Sequence, residues 1–236
     1  MRAAILFLVA LISSSCAMQP CNRVSFDSRD AKICGDPFGG LNRRGKIVIS
    51  DIDDTIKDTH VMWDSTRERN LLRVAVDGLH AWRPVSGMAK LYRHWQDAYH
   101  VNFIYLSAGP SRYRRRLEQS LEDWGFPSGP LVLRGALNPF PPPNYKWQAI
   151  GPIVAKLPGR HFVLVGDSGE YDPECYGELA RERSTQIDHI FIREISNEIL
   201  NCPRYSCAFG SLTKKVTLFT SPKTIADGVL ARDRSR

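Results

Sequence analysis

Hydrophobic and polar positions alternate in two distinct rhythms from Lys46 onwards. Short unbroken apolar runs occur at Ile47-Val48-Ile49, at 101–106 (VNFIYL), at Leu131-Val132-Leu133, at 162–165 (FVLV) and at Ile190-Phe191-Ile192. Runs of this length, rich in Val, Ile and Phe, predict strands of a parallel sheet buried on both faces. Between them the spacing turns helical. Met88, Leu91, Tyr92 and Trp95 form one stripe, and Tyr113, Leu117, Leu121 and Trp124 a second. A third runs from Trp147 through Ile150 to Ile153 and Val154, where Gly151-Pro152 is expected to kink or interrupt the helix. Strands alternating with helices predict an α/β domain, doubly wound around a mainly parallel five-stranded sheet. The Met, Trp and Leu stripes are read as core. Residues 56–100 form the longest gap between strands, with room for a small flap or cap over a site ahead of the Met88 helix. Residues 138–144 (NPFPPPN) read as a stiff proline connector, and no internal repeat is evident.

The first residues follow another pattern. Met1-Arg2, an apolar block over 3–12 and then Ser13-Ser14-Ser15-Cys16-Ala17 describe a signal peptide, expected to span 1–17. Ser15 and Ala17 suit cleavage after Ala17. Cys16 after small residues suits a lipoprotein cut, although Ser13 stands where such sites carry Leu; this second reading is slightly favoured. The chain is thus expected to be exported, periplasmic or secreted, with Cys16 a potential lipid anchor to the envelope. Residues 18–45 read as an N-terminal loop region, 46–220 as the catalytic-type domain and 221–236 as a C-terminal helix or tail. Export makes disulfides relevant: Cys21–Cys34 and Cys202–Cys207 are the simplest pairs, leaving Cys175 as a buried, inert thiol.

Composition changes the picture little. The 236 residues are 43% hydrophobic and 24% charged, values that suit one generous globular domain and exclude a disordered chain. The net charge of +7 favours anionic partners, such as phosphorylated molecules or acidic membrane surfaces, without choosing among them. No apolar run reaches a membrane span. The six histidines match no metal spacing, and no Cys/His cluster suggests zinc.

The candidate chemistry lies where the strands end. The first runs into Asp51-Ile52-Asp53-Asp54-Thr55, the second into Ser107-Ala108-Gly109-Pro110, and the fourth into Gly166-Asp167-Ser168-Gly169 with Asp172 beyond. In open α/β sheets, ligands bind outside the carboxyl ends of the strands. Carboxylates gathered at one edge repel each other unless a cation neutralises them, and an all-oxygen partial cage suits Mg²⁺. Asp51 and Asp53 stand two apart in an extended segment and can point the same way. One can bind metal and attack a phosphoryl group while the other handles protons.

The segment Asp51-Ile52-Asp53-Asp54-Thr55 resembles the DxDxT signature of the haloacid-dehalogenase-like phosphatases. Ser107 is similar to their second motif, and Gly166-Asp167 with Asp172 to their fourth. More narrowly, SDIDDTIKDT, RPVSGMAKLY, FIYLSAGP, GPLVLRG and FVLVGDSGEYDPECY together resemble the catalytic domain of fungal actin-patch phosphatidate phosphatases and their bacterial relatives, over about residues 46–220. The resemblance implies a Rossmann-like, haloacid-dehalogenase-like fold and a Mg²⁺-dependent phosphomonoesterase with phosphatidate as substrate, acting through an aspartyl-phosphate. By position it implies Asp51 as nucleophile and Asp53 as proton donor to the leaving alkoxide and later base for water. Mg²⁺ would be held by Asp51, the Asp53 carbonyl and Asp167, with Asp172 in support. Ser107, Thr55 and Arg112 would contact the substrate phosphate. The family's lysine falls on Lys146, 21 residues before Asp167, with Lys156 as the alternative.

Other readings are weaker. Ile56 stands where a calcium loop needs Gly. GDSGE is similar to a serine-protease segment, but no matching histidine motif precedes it. Among Arg112, Arg114, Arg115 and Arg116, one or two are expected to face a phosphate-bearing head group, and Arg134 ends a strand within reach. A phosphatidate-binding module without turnover is the alternative from another class, although such modules typically lack the paired carboxylates, and a phosphatase of a soluble or nucleic-acid phosphomonoester is a further alternative. No nucleic-acid partner is expected, since basic residues lack interleaved aromatic platforms. Oligomeric state has no marker in the sequence.

Overall fold

The computed structural model describes residues 33–34, 38–42, 44–59, 82–135, 143–195, 203–226 and 228–231. Among them the strands, in chain order, are β1 (Ile33–Cys34), β2 (Ile47–Asp51), β3 (Lys57–Asp58), β4 (Arg83–Pro84), β5 (Asn102–Pro110), β6 (Leu131–Arg134), β7 (Phe162–Asp167), β8 (Ile187–Arg193) and β9 (Val216–Phe219). The helices are α1 (Met88–Tyr99), α2 (Arg114–Asp123), α3 (Tyr145–Lys156), α4 (Asp172–Glu182) and α5 (Pro203–Phe209). All five predicted strands form, extended at their polar ends.

The main sheet has the order β1-β6-β5-β2-β7-β8-β9. The six strands from β6 to β9 are parallel, and β1 joins the β6 edge antiparallel. This is the expected doubly wound α/β fold, with one parallel strand more than the five predicted. The added strand, β9, carries Thr217 among its apolar residues and is mostly half-buried, so it lacks the unbroken apolar run of a central strand. From β2 the chain builds outwards through β5 and β6, then crosses back to β7 on the other side. That reversal opens a crevice at the carboxyl end of β2, the usual ligand position in such sheets.

Side-chain alternation divides the core into two layers. Ile47 and Ile49 pack with Tyr145, Ile150 and Val154 of α3 and with Tyr176 and Leu179 of α4. Val48 faces the opposite way, towards Tyr92 and Trp95 of α1 and Leu117 and Leu121 of α2. The Tyr92 ring stacks on Phe103 and on Trp95, with centroids 4.9 and 5.3 Å apart, and its hydroxyl lies 2.8 Å from Ser50 Oγ. Helix α1 ends at His100, in the left-handed conformation at φ 55°, whose N–H returns to the Gln96 carbonyl.

One local expectation needs correction. Helix α3 runs unbroken from Tyr145 to Lys156 despite Pro152 in its interior. Proline there removes a helical N–H donor and ordinarily costs about 3 kcal/mol. The buried stripe of Ala149, Ile150, Ile153 and Val154 holds the helix together, while Pro152 itself points to solvent. At the C-terminal end, Pro222–Thr224 and Gly228–Leu230 make single 3-10 turns, not an α-helix, and Leu230 is buried. In the span expected to hold a flap, the described residues form the small antiparallel pair of β3 with β4, and residues 60–81 lie outside the described residues. The signal segment, Cys16, most of the proline connector, and Cys21 and Cys202 of the expected disulfide pairs lie outside the described residues. Cys175 is a buried free thiol, as expected.

Candidate active site

Sheet register sets the site. Asp51, the last residue of β2, opposes Leu106 of β5, so Ser107 stands one residue further along the neighbouring strand. On the other side Ser50 opposes Val165, two residues before Asp167 at the end of β7. Three polar strand ends are thus delivered to one edge. The β5–β6 register shifts between Ser107 and Pro110, a bulge of the kind that re-aims a side chain beside a site.

Beyond β2 the chain turns at once. Asp54 is left-handed at φ 54°, a conformation that Asp tolerates better than most residues. Its Oδ1 accepts from the Thr59 N–H and hydroxyl at 3.0 and 2.5 Å, and its own N–H donates to the Lys57 carbonyl at 2.8 Å. The turn brings the Thr55 hydroxyl back to donate to Asp51 Oδ2 at 2.9 Å, and brings Lys57 back onto Asp53.

Asp51, Asp167 and Asp172 are all buried, and each offers a carboxylate oxygen within 4.8 Å of the others. Lys146, in the first turn of α3, is buried among them. Its Nζ lies 2.6 Å from Asp51 Oδ1 and 3.5 Å from Glu170 Oε2, and it also pairs with Asp172 Oδ1. One ammonium therefore serves several carboxylates. Burial, only partly offset by Lys146, pushes the Asp51 carboxyl well above its usual range, and Asp172 and Asp167 add to the rise. Burial and then Asp172 do the same to Asp167. Burial opposes the Lys146 ammonium, but Asp172, Asp51 and Glu170 outweigh it and hold the amine well above its usual range.

The second oxygens complete the arrangement. Asp172 Oδ2 accepts from the Asp167 N–H at 3.2 Å, and Asp167 Oδ1 accepts from Gly169 and Glu170 N–H at 2.6 and 3.3 Å. Asp167 Oδ2 is buried without a hydrogen-bond partner. That orphaned oxygen and the surplus of buried carboxylate fit a hard cation with oxygen ligands, so the cluster suggests a metal ion. Gly166 permits the close approach: a Cβ there would meet Asp172 Oδ2 at 2.2 Å and Tyr176 Cε2 at 2.7 Å.

Asp53 forms a second centre beside the first. Its Oδ2 accepts from Ser107 Oγ at 2.8 Å, its Oδ1 lies 2.5 Å from Lys57 Nζ, and its side chain stays 29% exposed. Burial alone raises this carboxyl, but the Lys57 ammonium and the hydrogen bonds from Lys57 and Ser107 prevail and hold it below its usual range. The surroundings of these two neighbouring aspartates thus act on them in opposite directions.

Of the predicted site residues, Asp51, Thr55, Lys146, Asp167 and Asp172 come together, with Asp53 and Ser107 alongside. Lys146, not Lys156, is the site lysine; Lys156 is exposed and its Nζ lies 5.7 Å from the Phe38 ring. Arg112 is not drawn in: it is exposed, with its guanidinium over the Tyr113 ring at 4.9 Å. Arg134 is buried and donates from Nε to the Ala108 carbonyl at 2.8 Å, bracing the segment after Ser107. Three contributors escaped the sequence reading: Lys57, Glu170 and Arg204. The first two lie inside the quoted motifs, at SDIDDTIKDT and GDSGEYD. Arg204 of α5 chelates Glu174 at 2.7 and 2.9 Å, donates to the Ser168 carbonyl at 2.5 Å and reaches the Glu170 carbonyl, clamping the loop between β7 and α4.

The family model described as "Phosphatidate phosphatase APP1, catalytic domain" matches residues 46–194. Phosphatidate phosphatase APP1 of Saccharomyces cerevisiae is 35% identical over 176 residues, covering 72% of this chain and 29% of that protein. An uncharacterised protein of Schizosaccharomyces pombe, C29B5.04c, is 27% identical over 164 residues, covering 67% of this chain and 26% of that protein. The chain thus spans less than a third of the length of either curated relative. Among solved structures, a Thermotoga maritima protein described as a beta-phosphoglucomutase aligns with a TM-score of 0.43 at 13% identity, over 75% of this chain and 95% of that one.

Proposed function

Because the chain belongs to the family of the phosphatidate phosphatase APP1 catalytic domain, we propose that it hydrolyses phosphate monoesters at Asp51, with phosphatidate as its substrate and Mg²⁺ as its metal. The observation that carries the reading is the geometry at the end of the central strand: Asp51 lies 2.6 Å from Lys146 Nζ with carboxylate oxygens of Asp167 and Asp172 within 4.8 Å, and Asp53 stands beside it on Ser107 Oγ at 2.8 Å. In this reading Asp51 serves as nucleophile and Asp53 as a separate proton-handling carboxylate. A module that only bound the head group would need no such pair.

In this mechanism a carboxylate oxygen of Asp51 attacks phosphorus, and the bond to the ester oxygen breaks with the leaving electron pair. Asp53 gives that oxygen a proton. It then accepts a proton from the water that attacks the phospho-aspartate, restoring free Asp51 and releasing inorganic phosphate. Lys57 and Ser107 keep Asp53 ionised at rest, ready for the second duty. For the first, Asp53 takes up a proton from solvent or from the phosphate monoanion of the substrate before the ester bond breaks, a step that the approaching phosphoryl charge favours as a like charge beside a carboxyl does. Lys146 neutralises charge on the phosphoryl oxygens, and Ser107 donates to one of them. Asp51, Asp167 and Asp172 would hold Mg²⁺, which when bound relieves the repulsion between carboxylate and phosphate.

The substrate is further supported by the +7 net charge, which suits approach to an anionic lipid surface. Export through the N-terminal signal segment completes the proposal, with a cut before Cys16 leaving that residue as an envelope anchor; the mass of the mature N-terminal peptide distinguishes this from a cut after Ala17. Phosphate release from phosphatidate micelles and a panel of soluble phosphomonoesters, each with Mg²⁺ or EDTA, tests the activity. EDTA-sensitive release from phosphatidate is expected. Release from soluble esters alone would remove the lipid from the proposal, and binding of phosphatidate without release would favour a recognition module.

A further inference from the structure

Asp53 is governed from the β3–β4 ribbon. Lys57 Nζ holds Oδ1 at 2.5 Å while Ser107 Oγ donates to Oδ2 at 2.8 Å, so each oxygen has its own donor. Lys57 is only 2% exposed, and an ammonium so deeply placed is strongly disfavoured unless it is paired. Its second support is aromatic: Nζ lies 4.4 Å from the centroid of the Trp82 ring. Arg116 of α2 lies over the same ring at 3.9 Å, and Tyr113 meets it edge-on at 5.9 Å. Trp82 directly precedes β4, whose Arg83 pairs with Asp58, the residue after Lys57. The ribbon therefore carries both the ammonium and the ring behind it.

The backbone is bent to make this contact. Left-handed Asp54 stands between the two partners, and the Lys57 N–H returns to the Ile52 carbonyl at 2.8 Å. That conformation is uncommon outside glycine, although Asp tolerates it better than most residues, and such outliers gather at functional sites.

We infer that Lys57, backed by Trp82, is a positioning residue for Asp53: it fixes Oδ1 so that Oδ2 faces Ser107 and the phosphoryl position. The inference rests on the phosphatase reading for its consequence in turnover, but its geometric content is separable. It gives the ribbon a role in the site, since displacing Trp82 would disorganise the proton-handling carboxylate from a distance.

The test compares Lys57→Met, Lys57→Arg and Trp82→Leu with the wild type. Thermal melts establish folding, and kcat and KM are measured on the best substrate of the panel. Loss of orientation lowers kcat of Lys57→Met about 30- to 100-fold while KM stays within about twofold. Lys57→Arg keeps the charge and is expected to return within about fivefold of wild type, with Trp82→Leu between the two. A folded Lys57→Met with kcat within about twofold of wild type overturns the inference, as does a change confined to KM. If Lys57→Met does not fold, Trp82→Leu carries the same comparison. A crystal structure of Trp82→Leu or Lys57→Met gives a readout independent of turnover. Asp53 is expected to leave Ser107, and an intact 2.8 Å hydrogen bond between them contradicts the inference. A wild type inactive on every phosphomonoester would overturn the phosphatase reading, while the crystallographic comparison would still decide the role of Lys57.

Discussion

Lys146 Nζ lies 2.6 Å from Asp51 Oδ1, joining the first turn of α3 to the end of the central strand. The same ammonium reaches Asp172 and Glu170, so it ties the nucleophile proposed on β2 to the acidic loop after β7. Removing it leaves buried carboxylates without their protein counter-charge and removes the cation nearest the proposed phosphoryl position.

Lys146→Met is therefore expected to reduce kcat/KM at least about 100-fold, the scale of one lost electrostatic donor at a developing charge. Lys156→Met, altered on the exposed side of the same helix, should stay within about twofold of wild type. Parallel steady-state assays of the two variants check this. Equal losses would show that the assignment of Lys146 is wrong.

The carboxylate cluster makes a prediction about stability. Buried carboxylates close to one another repel, and a divalent cation that binds only the folded chain raises its stability. Thermal melts should move upwards with added Mg²⁺. Asp167→Asn should melt higher than wild type in EDTA yet lose most of the Mg²⁺-induced shift. A wild type whose melting temperature ignores Mg²⁺ at millimolar concentration would argue against a cation site here.

Arg204 lies beyond the residues matched by the family model, yet its guanidinium fixes the loop that carries Glu170. Lysine cannot reproduce its two-pronged contact with Glu174. Arg204→Lys should fold normally and need about 10-fold more Mg²⁺ for half-maximal activity, as expected when support behind a metal-binding loop is lost. A Mg²⁺ titration of activity distinguishes this from a simple loss of protein.

His189 makes the pH dependence of folding partly predictable. It is buried on β8, with Nε2 2.8 Å from Thr217 Oγ1, and burial pulls its imidazole down to about 4. The unfolded imidazole titrates near 6.5, so between those values the unfolded chain binds the extra proton. The stabilising contribution is complete above pH about 6.5 and declines as the pH falls towards about 4. In urea melts at pH 7.5 and pH 5, wild type should lose on the order of 1–2 kcal/mol more than His189→Gln. Identical losses would remove His189 from the account.

The sequence was most informative where one physical rule dominated. Central strands such as Ile47–Asp51 are apolar on both faces, and polar residues at their ends stand out against that background. Asp51, Asp53, Ser107, Asp167 and Asp172 were legible for this reason. Lys57 was not: its pairing depends on the left-handed turn at Asp54, and its aromatic support comes from Trp82, 25 residues on. Arg204 was hidden by the same separation, since nothing local distinguishes it from a solvated arginine. Pro152 misled in the opposite direction. Its local cost is real, but the buried face of α3 outweighs it, an effect that only tertiary packing supplies. Strand β9 escaped because a half-buried edge strand tolerates polar residues.

The most direct test of the central claim is phosphate release from phosphatidate micelles at saturating Mg²⁺ by wild type and by Asp51→Asn, with folding of both verified by melting. Wild-type turnover and a loss of at least about 1,000-fold in the variant are expected for removal of a covalent nucleophile. A folded Asp51→Asn that releases phosphate at a rate near wild type would contradict the claim that Asp51 carries the reaction.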